Sequence, residues 1–462
     1  MGNESSEKRK LIKERGSGMS DSSLIKPLLH GNYPVINYGE GIFLYDRSGK
    51  EYLDASSGAI TANIGHGVEE IRAAAYRQMG KVSFVYRSQF TSEPAEELAS
   101  KLSEMTDGEM KYCFFVNSGS EATETALKIA LQHWQEKEFH KKNRIISRWM
   151  SYHGITLGAL SMSGHTQRRE RFVSLLEEYP SVSPPYCYRC PLGLRSTDCG
   201  LACAEELLTM IRRIGKENIA AFICEPVIGA AGAAIPSPPG YLERIREICT
   251  EHEILLISDE VMTGVGRTGE MLGCRQAGIT PDIVALGKGM SGGYTPIAAT
   301  LATESVIEPI KNGSGVVMSG HTFSANPLSA AVSLEVLSYI EKNSLFQNVL
   351  SKGTYLFAKL EALQKKYPMI GDIRGKGLLI GIEFVKDAIT KEPFERSKDV
   401  AGLIVKKAQE NGLLLYPAQA GIDGIIGDAC LIGPPLTITE KECDELIKRF
   451  ERTLEDVCRM LA

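Results

Sequence analysis

Leu255-Leu256-Ile257-Ser258-Asp259-Glu260-Val261 and, further on, Ile283-Val284-Ala285-Leu286-Gly287-Lys288-Gly289 are two short apolar runs, each ending on ionisable residues. A run of four or five apolar residues bounded by polar or glycine positions reads as a strand buried on both faces, and such strands belong to parallel sheets sandwiched between helices. Further runs lie at Tyr112–Val116, 144–149, Ile219–Cys224 and 297–303. Helical periodicity appears from about Val68, at Ile71, Ala74, Ala75 and Met79, and again over 94–105. This alternation predicts an α/β fold, with a large, mainly parallel sheet domain covered by helices on both faces. The last third is helix-rich, at Pro327–Lys342, Leu345–Lys366, 399–411 and 440–460, with a strand-like stretch at 377–385, and predicts a smaller α+β domain. An alternating stretch at 41–54, folded around Arg47-Ser48-Gly49, reads as a β-hairpin. The expected division is a disordered tail or alternative start (from Met19) over 1–20, an N-terminal segment joining the small domain over 21–67, a large domain over 68–330, and a C-terminal small domain over 331–462.

Composition narrows the class of function. With 43% hydrophobic residues and a formal charge of −5, the chain is globular and lacks the clustered Lys and Arg that nucleic acid requires. No apolar run approaches the roughly 20 residues of a membrane span, and the first residues have no signal-peptide core. Eleven cysteines are an odd number, so at least one thiol is free and a reducing, cytoplasmic setting is expected. Small-molecule chemistry is the default.

Three motifs carry that chemistry. Asn117-Ser118-Gly119-Ser120-Glu121-Ala122 follows a predicted strand and opens a helix, with Ser118 and Glu121 at capping-box spacing. Free amides, hydroxyls and the positive end of the helix dipole would meet there, which suits a phosphate; a well-made cap with no ligand is the plain alternative. Asp259 and Glu260 stand at a strand's carboxyl end, where open sheets bind ligands, and one of them could hold a protonated ring nitrogen. Lys288 follows another strand between two glycines, where desolvation would make its amine nucleophilic. Most lysines lie on surfaces, so its neighbours decide its meaning. Gly264-Val265-Gly266-Arg267-Thr268-Gly269 satisfies the dinucleotide fingerprint only in letters, because it neither abuts a strand nor opens a convincing helix. A separate Pro- and Gly-rich insertion at 185–204 holds Cys187, Cys190, Cys199 and Cys203; structural zinc, free thiols and disulfides are all compatible with that spacing.

A phosphate cradle, a strand-end carboxylate and a strand-end lysine, in that order, are what pyridoxal 5′-phosphate needs for its phosphate, ring nitrogen and aldehyde. Ser258 to Gly269 (SDEVMTGVGRTG), Leu286-Gly287-Lys288-Gly289 and His321-Thr322-Phe323-Ser324-Ala325-Asn326-Pro327 give the chain a specific resemblance, over about 38–454, to the class III (ω-type) aminotransferases of the fold-type I pyridoxal-phosphate enzymes. The resemblance implies that Lys288 forms the Schiff base and shuttles the proton, and that Asp259 keeps the pyridine nitrogen protonated. It implies phosphate contacts from Gly119 and Ser120. Tyr152 of Tyr152-His153-Gly154 would stack on one ring face and Val261 pack the other, with His153 and Glu225 also at the cofactor. Thr322 would reach the phosphate of a neighbouring subunit, which implies a homodimer. The implied reaction is ping-pong transfer of an amino group from an ω-amine or β/ω-amino acid to a 2-oxo acid. A phospho-lyase or epimerase on the same scaffold is the alternative, and a metal-stabilised interaction protein on a dead enzyme scaffold is a third reading.

One departure stands out. Many members grip a substrate carboxylate with an arginine near Pro434-Pro435-Leu436 or earlier in that domain, where this chain has Tyr416 and Leu431. Arg87 is a substitute candidate; otherwise the donor amine lies far from any carboxylate.

Overall fold

The computed structural model describes residues 23–29, 31 and 33–461, so the expected tail over 1–20 lies outside the described residues. A seven-stranded sheet runs in the order Tyr112–Val116, Ala298–Ala302, Ile283–Leu286, Leu255–Asp259, Ile219–Cys224, Arg144–Arg148, Ser181–Val182. All are parallel except Ala298–Ala302, which runs antiparallel to both neighbours.

The unbroken apolar runs are explained by what covers the sheet. Leu255, Ile257 and Ile283 pack on one face with Ala126, Ile129 and Ala130 of the helix Gly119–Glu136. Leu256, Val284 and Leu286 point the other way, into the main core. Successive side chains of a strand face opposite sides, so with both sides covered every position must be apolar. On the main-core side, Glu69–Met79 and Glu93–Glu104 pack against Pro327–Lys342.

A second sheet, antiparallel throughout, orders Ile370–Lys376, Leu379–Phe384, Asp428–Ile432 and Tyr416–Ala418. Helices Leu345–Lys366 and Val400–Glu410 pack on it, and Glu440–Leu461 packs on both helices. The N-terminal strands Ile36–Glu40, Phe43–Asp46 and Glu51–Asp54 form a meander, extended by Leu413–Leu414 parallel to Glu51–Asp54. Its turn is fixed by Asp46, whose Oδ1 accepts from the amides of Ser48 (2.8 Å) and Lys50 (3.0 Å).

The loop carrying the misleading glycine pattern joins these units. Arg267 is fully buried, and its guanidinium donates to the carbonyls of Leu378 (3.1 Å) and Pro434 (2.6 Å) and to Asn63 Oδ1 (2.8 Å). Burial pushes its pKa down to about 9, with the Asp54 charge opposing the shift. Asn63 in turn donates to the Val265 carbonyl at 3.2 Å and lies so close to Gly289 that a β-carbon there would overlap its amide. Gly289 is therefore required by Asn63.

Candidate active site

Six of the seven strands end at one edge, and chemistry-bearing residues sit at or just beyond five of those ends. Asp259 closes Leu255–Asp259, Glu225 follows Ile219–Cys224, Lys288 lies two residues past Leu286, Tyr152 and His153 follow Arg144–Arg148, and Gly119 follows Tyr112–Val116. This edge is the carboxyl end of parallel strands, where ligands bind in open α/β sheets.

The helix Gly119–Glu136 begins as its sequence predicts. Ser118 Oγ accepts from the Glu121 amide (3.3 Å), while Glu121 Oε2 accepts from the Asn117 amide (2.7 Å), a reciprocal capping box. The amides of Gly119 and Ser120 are left without an intrahelical acceptor, as at every helix start. A β-carbon on Gly119 would stand 2.7 Å from Val261 Cγ1, so only glycine lets this turn close against the strand-end loop. Ser120 Oγ accepts from the Ile155 amide at 3.0 Å, tying the helix start to the segment after Tyr152-His153-Gly154.

The two adjacent acids have separate tasks. Asp259, 3% exposed, pairs through Oδ2 with His153 Nδ1 at 2.7 Å and accepts the Val261 amide on Oδ1 at 3.1 Å. Glu260 turns away and organises the following loop: its carboxylate accepts from the amides of Gly273 and Cys274 (both 2.9 Å) and from Ser258 Oγ (3.1 Å). Burial raises its pKa, and hydrogen bonds from the Thr263 hydroxyl and from Cys274 and Gly273 oppose the rise. Glu225 is also buried; it accepts from the Tyr152 amide (3.1 Å) and the Gly229 amide (3.0 Å), and burial pushes its pKa up.

Lys288 has a backbone φ of +43°, and its side chain makes no hydrogen bond or ion pair among the described residues. Burial lowers its pKa, and the nearby charges of Asp259 and Glu225 counter that shift. Tyr152 is held by two neighbours: the Arg168 guanidinium carbon stands 4.5 Å from its ring centre, and His165 lies edge-on at 5.9 Å.

The structure thus brings Lys288, Asp259, His153, Glu225, Tyr152, Val261, Gly119 and Ser120 to one edge. Thr322 is not part of this group; it is exposed on the turn before Pro327–Lys342, and its hydroxyl has no hydrogen bond among the described residues. Arg87 is engaged elsewhere, on the Ser319 carbonyl and over the Phe114 ring at 4.7 Å. The sequence reading did not find the His153–Asp259 bond, the loop-building role of Glu260, or Arg168. His153 carried a signal in its place beside Tyr152, but the other two carried none.

Of the three readings of the cysteine cluster, structural zinc finds no support in the geometry. Cys187, Cys190, Cys199 and Cys203 all line one cavity of about 370 Å³, walled by Pro184, Pro185, Pro238 and Pro239, and all four are free thiols. Among the described residues, however, no group of three or more His, Cys, Asp or Glu is arranged to hold a metal. The four ride on a 3-10 turn, the loop after it and the start of helix Ala202–Ile214, and no regular element fixes them relative to one another. Burial and the neighbouring sulfurs push the Cys203 thiol up to about 11.

Comparison with known proteins agrees with this geometry. The family model for class III aminotransferases matches residues 30–454. An uncharacterized aminotransferase of Bacillus subtilis (strain 168), YodT, is 53% identical, with 94% of this chain and 98% of that protein covered. A putrescine–pyruvate aminotransferase of Pseudomonas aeruginosa is 34% identical over 91% of this chain and 90% of its own. The solved structure of an amine transaminase from an uncultivated Pseudomonas species, in its pyridoxal-phosphate-bound form, superposes with a TM-score of 0.88 at 33% identity, covering 95% and 98% of the two chains. The chain belongs to the class III aminotransferases.

Proposed function

We propose that this chain is a transaminase that carries an amino group from an ω-amine or a β/ω-amino acid to a 2-oxo acid in a ping-pong cycle. One observation carries the reading: an amine with no hydrogen-bond partner among the described residues, Lys288, stands at the same sheet edge as the buried Asp259–His153 pair. Class III aminotransferases use pyridoxal phosphate. The residues here fit that group, since Gly119 leaves a close passage beside Val261 and the helix start offers unpaired amides for a phosphate. When bound, the cofactor supplies an electron-poor ring that accepts the electron pair released as the amine-bearing carbon loses its proton.

The chain's own residues do the rest. Lys288 Nζ, its pKa lowered by burial, takes that proton and returns it. Asp259 presents a fixed negative charge to a ring N–H, and His153 holds its Oδ2 in place. Tyr152 and Val261 take opposite ring faces, while the Gly119 and Ser120 amides take the phosphate and Glu225 anchors the Tyr152 backbone. Exposed aromatic and apolar side chains at Phe84, Phe90, Met318 and Phe323, next to Thr322, support a second copy packing over this surface and bringing its Thr322 to the phosphate. Among the described residues no helix is long and apolar enough to cross a membrane, and the odd cysteine count supports a cytoplasmic setting. A relative that uses putrescine and pyruvate supports an ω-amine donor and a 2-oxo acid acceptor.

The test is Lys288→Ala. Its absorbance should lack the lysine-linked cofactor band, and transfer from putrescine to pyruvate should fall by at least about 10⁴-fold. Normal turnover by the variant would sink the proposal, and wild-type turnover of an amine without any 2-oxo acid would replace it with a lyase or epimerase.

A further inference from the structure

The wall on which the sequence comparison sought a carboxylate-gripping arginine is apolar. Tyr416 and Leu431 are direct partners across two antiparallel strands, and they pack with Ile60, Val227, Ala230 and Met262. Met262 lies against Gly229, whose amide binds Glu225, so this wall borders the catalytic group. A carboxylate laid here would lose its hydration and find no cation, which is strongly unfavourable.

A cation does stand near it, at Tyr152, which feels both Tyr416 and Arg168. Arg168, on the short helix Thr166–Arg169, lies over the Tyr152 ring and donates from Nη1 to Tyr152 Oη at 3.2 Å. A guanidinium has five N–H donors, and among the described residues no carboxylate pairs with this one. Its neighbours are otherwise engaged: Arg169 donates to the carbonyls of Leu160, Ser161 and Ser163, and Arg148 is sealed beneath the Glu225 carbonyl. Arg168 is only partly buried, and its charge is felt at Lys288. A planar fork with spare donors, pinned by an aromatic ring beside the reacting amine, is suited to bidentate carboxylate binding.

We propose that Arg168 receives the substrate carboxylate in this enzyme, that of the 2-oxo acid acceptor and of carboxylate-bearing donors, in place of an arginine at 416 or 431. The inference rests on the transaminase reading above. No bond is made or broken at Arg168; it orients substrate through charge-assisted hydrogen bonds.

The experiment measures the two half-reactions separately in wild type, Arg168→Met and Arg168→Lys, following cofactor absorbance. Pyruvate is compared with propanal, which lacks the carboxylate, and β-alanine with putrescine, which also lacks one. In Arg168→Met, kcat/KM for pyruvate and β-alanine should fall about 100-fold, mostly through KM, while propanal and putrescine change less than about threefold. Arg168→Lys should recover part of the loss as a point charge. As a readout independent of turnover, the dissociation constant of propionate should rise at least about tenfold in Arg168→Met. Equal losses on all four substrates would make Arg168 a mere support for Tyr152 and overturn the inference, as would an unchanged propionate constant. If the wild type moves no amino group from either donor, the transaminase reading itself fails; if it does and the carboxylate preference survives in Arg168→Met, only this inference fails.

Discussion

The carboxyl edge of the large sheet and the cysteine insertion each carry several chemistry-bearing side chains, yet only the edge brings them into a working group. At the edge, the residues follow strands that hydrogen-bond side by side, about 4.8 Å apart, so whatever comes just after each strand is forced next to its neighbours. Asp259 and His153 meet at 2.7 Å although they are far apart in sequence. In the insertion, four thiols line one cavity without forming a metal-holding group. Spacing along a chain therefore predicts a site only when regular structure runs between the residues and sets their directions.

That contrast can be broken at either end. The largest effect belongs to the edge: Asp259→Asn should lower kcat for transfer from putrescine to pyruvate by about 10²–10³-fold, because a fixed charge aimed at the ring is lost while its size is kept. Steady-state kinetics showing less than a tenfold loss would mean that the convergence at the edge is not what drives the reaction.

An intermediate effect sharpens the comparison through His165, which is buried edge-on to Tyr152. Burial, aided by the Arg168 charge, lowers its pKa to about 4. In the unfolded chain it titrates near about 6.5, so on acidification the unfolded state takes up the proton first. Stability from this group is thus present above about pH 6.5 and lost as pH falls toward 4. Between pH 7 and pH 5 the loss is on the order of 2 kcal/mol. Denaturant titrations of His165→Gln at the two pH values should show a difference smaller by about that amount, and an unchanged difference would remove His165 from the packed support of the edge.

The smallest effect belongs to the insertion. The double substitution Cys187→Ser, Cys199→Ser should change kcat/KM by less than about twofold and stability by less than about 0.5 kcal/mol. Elemental analysis of the wild type should find no stoichiometric zinc. One zinc per chain, lost in the double variant together with stability, would erase the distinction between the two regions.

The sheet was legible because strands buried on both faces must be apolar throughout, and Leu255, Leu256 and Ile257 show this without any partner in view. Asp259 and Lys288 were legible because each follows such a run. What stayed hidden depends on direction or on distant pairing. Nothing local tells that Asp259 faces His153 while Glu260 turns toward Gly273 and Cys274. Nor does local pattern show that Ala298–Ala302 runs against its neighbours. The strands Tyr416–Ala418 and Asp428–Ile432 are too short or too irregular to alternate visibly, so Tyr416 and Leu431 could be named as positions but not seen as partners. Helix Ala202–Ile214 did carry a readable spacing at Ala204, Leu207 and Ile211, and the cysteines beside it drew attention away.

Arg267 ends up governing how the molecule comes apart. Its acceptors belong to the N-terminal segment at Asn63, to the turn at Leu378 and to Pro434 near the far end of the chain. A nascent chain still on the ribosome that has not yet delivered Pro434 leaves this buried cation short of an acceptor, so the clasp closes only after Pro434 has emerged. Once it is closed, neither sheet can open without stranding the guanidinium or its carbonyls in a dry interior. The expected consequence is that the two sheets melt as one cooperative unit, with a single side chain serving as the bolt.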